Sequence, residues 1–111
     1  MKQSIALSNT YSAVVSKTYV DAQIAEIEKI KEHFVFVANT GAFASASGVT
    51  RKAMDAISVP FGNAVDALDS LYGEGMLSAE DHIELRSEIG GVAFNATVEI
   101  ENAVHASKEV K

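Results

Sequence analysis

His33, His82 and His105 are the residues of this chain best suited to proton transfer or metal ligation. Glu101 and His105 stand four residues apart, so on a helix they share a face and can pin one ion between them. Two ligands do not close a coordination sphere. Neither Glu-x-x-His, as in carboxylate-bridged di-iron bundles, nor His-Glu-x-x-His occurs, and the chain has no cysteine. The pair reads as a solvated surface pair, and no metal or other cofactor is expected.

Nucleophiles fare no better. Ser45-Ala46-Ser47-Gly48 offers hydroxyls without a neighbouring base, and Gly-x-Ser-x-Gly is absent. Glu80, Glu84 and Glu88 recur every four residues on one helix face. Like charges at that spacing repel mildly, and an exposed row lacks the apolar enclosure that separates the pKa values of catalytic carboxylates. The row is a solvated face or an acidic docking surface for a basic partner. No catalytic residue is assigned, and the chain is read as a non-enzyme.

A phosphate site is a second reading. Gly41 to Gly48 is a small-residue loop, and Thr50, Arg51 and Lys52 follow at a helix start. Backbone N–H groups with two cations can hold a phosphate. The Gly-Lys-Ser/Thr ending of a Walker loop is missing. Gly48, Thr50, Arg51 and Lys52 are the candidate residues for a small phosphorylated ligand.

The aromatic residues point elsewhere. Most sit on apolar stripes and belong to a core. Phe36 and Phe94 fall off those stripes, and with Val35 and Val98 they give two helices a second apolar face. A helix apolar on two faces is central or binds something. A small bundle cannot make every helix central, so Phe36 and Phe94, with Glu80, Glu84 and Glu88, are the candidate partner interface.

Composition narrows the field further. The 111 residues fit one domain, 1–111, and 48% hydrophobic residues can form a core. Fifteen acidic residues against nine basic give a net charge of −6. The bases are scattered, which disfavours nucleic acid as a partner. No apolar run approaches the ~20 residues of a membrane span, and no secretory leader is visible. A cytoplasmic protein is expected, and Asn95-Ala96-Thr97 is then a chance glycosylation motif.

These residues are carried by helices. Val20, Ile24, Ile27, Ile30, Phe34 and Val37 recur at steps of three and four, which predicts one long helix or a pair over 8–38, capped by Ser8 or Asn9. A flexible connector covers 39–49. Thr50 caps a short helix through Ile57, and Pro60, preceded by Ser58, opens the next. Gly73-Glu74-Gly75 ends it. Ser78 and Asp81 form a capping-box-like pair with Leu77 as a staple, starting a helix through Leu85, Ile89, Ala96 and Ile100. One conflict remains: after Gly90-Gly91, residues 92–100 also alternate like a strand. The fold expected is all-α, about four helices with a C-terminal αα-hairpin. The alternative is α+β, with strands near 33–37 and 92–100. The function expected is binding of a macromolecular partner, as regulators, inhibitors, immunity proteins and adaptors do, by a homo-oligomer.

Overall fold

The computed structural model describes the backbone of residues 2–41, 43 and 45–110, and the side chains of 14–41, 43 and 45–107. It contains three helices: α1 (Lys2–Thr40), α2 (Ala46–Gly73) and α3 (Ala79–Val110). Among the described residues there is no strand. Both segments of the α+β alternative, 33–37 and 92–100, are helical. The all-α class holds, with three helices in place of about four.

The count differs because of Pro60. The sequence places a helix boundary there, since proline inside a helix removes a backbone hydrogen bond at a cost of about 3 kcal/mol. Here α2 runs straight through it, and the ring is buried. Burial of the ring offsets the cost, and Ser58, free of any capping duty, donates its hydroxyl to the Asp55 carbonyl at 2.7 Å. The start of α2 also differs from expectation. Ser45 is the N-cap, accepting from the Gly48 N–H at 3.1 Å, whereas the Thr50 hydroxyl donates back to the Ala46 carbonyl. The connector is therefore shorter than 39–49: residues 39 and 40 belong to α1, and 46–49 form the first turn of α2. Ser8 and Asn9, expected as caps, lie within α1, which begins at Lys2.

The α2–α3 turn follows its local chemistry. Gly75 has φ +75°, a left-handed conformation that side chains resist. It donates to the Tyr72 carbonyl and Met76 to Leu71, the paired bonds of a Schellman ending. Ser78 then accepts from the Asp81 N–H at 3.1 Å, and Leu77 is buried beside the cap.

The helices pack up, down and up. Val20 and Ile27 of α1, Ile57, Ala64 and Leu68 of α2, and Leu85, Ile89, Ala96, Ile100 and Val104 of α3 form one buried seam. No buried side-chain polar atom among the described residues lacks a partner. Two lysines of α1 reach across to α3: Lys17 to Glu88 at 2.7 Å and Lys31 to Glu99 at 3.1 Å. Hydrogen bonds to Glu88 and Asp21 raise the Lys17 pKa above the ordinary lysine value, and bonds to Glu28 and Glu99 do the same for Lys31. The result is a rod of 66 × 17 × 16 Å. Its radius of gyration is 17.6 Å, against about 13 Å for a compact ball of this length.

Candidate interaction surface

The groove between α2 and α3, on the side away from α1, gathers four of the ten exposed large apolar residues described: Met54, Tyr72, Ile83 and Phe94. Its register is set by contacts at both ends. Near the hairpin, Asp69 of α2 accepts from or ion-pairs with His82 Nε2 at 2.7 Å and lies 3.7 Å from Arg86. Tyr72 stacks on the His82 ring at 4.5 Å. At the far end, Thr50, Arg51, Met54 and Asp55 line an open groove of about 870 Å³ with Glu101, Val104 and His105.

That register sets residues 56–65 of α2 beside residues 89–98 of α3. Each is a ten-residue stretch without a charged side chain, bounded by Asp55 and Asp66 and by Glu88 and Glu99. At the same height α1 carries Asp21, Glu26, Glu28 and Lys29, so the charge-free band belongs to the α2–α3 side alone. Helical periodicity places Arg51, Asp55, Ser58, Gly62 and Asp69 on one stripe of α2. It places Ile83, Gly90, Phe94, Thr97, Glu101 and His105 on one stripe of α3. Midway along, these outward stripes carry Ser58 and Gly62 on α2 and Gly90, Phe94 and Thr97 on α3.

Phe94 is 69% exposed, the most exposed large apolar residue described; Ile83 (63%), Met54 (51%) and Tyr72 (43%) extend the row. Phe61 and Val65 lie half-buried between them. Gly62, Gly90 and Gly91 have nothing within 4 Å of where a Cβ would stand. Each costs roughly 1 kcal/mol against alanine inside a helix, and no packing within the chain accounts for it. Charge depletion at the centre with charged groups at the rim is the make-up of a protein interface.

The residues singled out from the sequence are not brought to one place. Phe36 is 67% exposed, on the outer side of α1, away from the groove that carries Phe94. Glu88 is held by Lys17, while Glu80 and Glu84 are exposed and make no ion pair among the described residues. Gly48 gives its N–H to the Ser45 cap and Thr50 its hydroxyl to a carbonyl. Arg51 and Lys52 are exposed and make no ion pair among the described residues. Glu101 and His105 share the Arg51 groove, but no three His, Asp or Glu side chains among the described residues converge as metal ligands do. No described helix is long and apolar enough to cross a membrane. Sequence reading missed the band itself. Its signal was present as two uncharged stretches of equal length, whose adjacency only the hairpin register reveals. No protein-family model, curated protein or solved structure matches the chain.

Proposed function

We infer that this chain is a non-enzymatic binding protein that takes up another polypeptide on its α2–α3 face, and acts by occluding or scaffolding what it binds. The observation that carries the reading is the charge-free band with Phe94 exposed at its centre. A preformed helical face of this kind suits an amphipathic helix laid along it. The test is affinity capture with the tagged chain, comparing wild type, Phe94→Glu and, as a control on the far side of the rod, Phe36→Glu. Loss of bound polypeptide with Phe94→Glu alone is the expected result. Equal capture by all three chains overturns the reading.

A second reading draws on the open groove at the start of α2, where Thr50 and Arg51 stand with His105. It takes a small phosphorylated ligand, held by the Arg51 guanidinium and the nearby backbone N–H groups. Such a ligand raises the melting temperature by mass action. A nucleotide panel that stabilises wild type and not Arg51→Ala supports it; a panel that leaves wild type unchanged removes it.

A further inference from the structure

We propose that the polypeptide seated on the α2–α3 face is a second copy of this chain, bound antiparallel about a twofold axis through the charge-free band. This deepens the binding-protein reading and rests on it.

Three observations converge. The first is shape. One surface carries both a projecting group, Phe94, and open places at Gly62 and Gly90 where no side chain stands. Phe94 stands within one residue of the band centre, so a twofold axis there brings the two Phe94 rings together, and the bare backbone at Gly62 and Gly90 beside them leaves room for the close approach a self-complementary interface requires.

The second is charge along the rod. The half nearer the hairpin (14–24 and 64–92) has eight carboxylates against two bases. The other half (25–63 and 93–107) has six carboxylates against four bases. Parallel copies would stack the two strongly acidic halves. Antiparallel copies set each against the half that holds Arg51 and Lys52.

The third is the pairing of particular groups. Arg51 and Asp69 lie on one stripe of α2, about equally far on either side of the band centre. Glu101 and Arg86 bear the same relation on α3. Antiparallel copies therefore bring Arg51 level with Asp69 of the second copy and Glu101 level with Arg86 of the second copy, two opposite-charge pairs against one like-charge pair, Asp55 with Asp66, at the edge of the band. The face is also of sufficient size: α2 and α3 run about 42 and 48 Å on a rod 16–17 Å across, an area on the order of the ~800 Å² per partner of a standard interface.

The experiment is light scattering coupled to size exclusion, with circular dichroism to confirm helix content. Wild type is expected at twice its 11.8 kDa mass. Phe94→Glu, which changes an exposed residue, is expected at the monomer mass with unchanged helicity, its dimer dissociation constant raised roughly 30-fold or more. Arg86→Glu and Glu101→Arg are each expected to weaken the dimer, and the double variant to restore it. The two positions are fifteen residues apart on one helix, too far to compensate within a chain, and a parallel dimer would not be rescued. A dimer without rescue overturns the antiparallel pairing. A wild-type monomer overturns the dimer while Phe94-dependent capture still upholds the binding face. A dimer indifferent to Phe94→Glu, with capture equally indifferent, overturns both.

Discussion

A glycine inside a helix weakens it by roughly 1 kcal/mol against alanine, and Gly90 does so at a place the rest of the chain leaves empty. Its replacement therefore separates the isolated chain from the assembled one. In dilute solution Gly90→Ala is expected to raise the melting temperature by roughly 4–8 °C, the equivalent of 1 kcal/mol in a domain of this size. At concentrations where the dimer forms, the added methyl group fills the space the second copy needs, and association weakens. Melts at two concentrations check this, and a variant stabilised equally at both shows that the glycine serves no interface. Phe94 explains why this stretch is ambiguous as sequence. Ala96 and Ile100 face the core, Val92 is half-buried, and Phe94 looks outward. One apolar residue on the wrong side turns a helical stripe into an apparent alternation. The strand-like pattern is thus the sequence-level trace of an exposed phenylalanine, and the residue that misleads about secondary structure is the one at the centre of the proposed interface.

The hairpin is where local chemistry governs an entire element. Gly75 is left-handed, Ser78 caps α3, and Leu77 closes over the cap. Ser78→Ala is expected to cost about 1 kcal/mol through the lost cap, and Gly75→Ala about as much through strain at φ +75°. Urea unfolding should show both as lower midpoints with unchanged slopes. A null effect of Ser78→Ala would mean that Leu77 and the turn alone hold the start of α3. These elements were legible because glycine, serine and aspartate act over three or four residues. Pro60 was not, since its penalty is local while its compensation, burial against the other helices, is set by tertiary packing. The start of α2 shows the same limit in miniature. Ser45 and Thr50 both qualify as caps by residue type, and only the placement of Val49 and Ala53 in the core decides for Ser45. The α2–α3 register, and with it the charge-free band, lay beyond any single element.

At the scale of the whole molecule, three long helices leave little interior. Each helix has one face for the seam and must present the others outward, so a rod of 66 × 17 × 16 Å has much surface for its volume. That geometry makes lateral association efficient, because two rods side by side cover a long face without adding length. It also makes the mode of association measurable. Small-angle scattering of the Phe94→Glu monomer is expected to give a radius of gyration near 17.6 Å, well above the ~13 Å of a compact ball of the same length. For the wild-type dimer the cross-section is expected to grow while the longest dimension stays close to that of one rod. Rods joined through their tips would instead approach twice that length, placing the contact at the acidic hairpin or the connector end. A side-by-side particle is the outcome consistent with burial of the charge-free band. It also keeps each net-negative hairpin away from its symmetry mate, since the like-charged ends of an antiparallel pair lie at opposite poles.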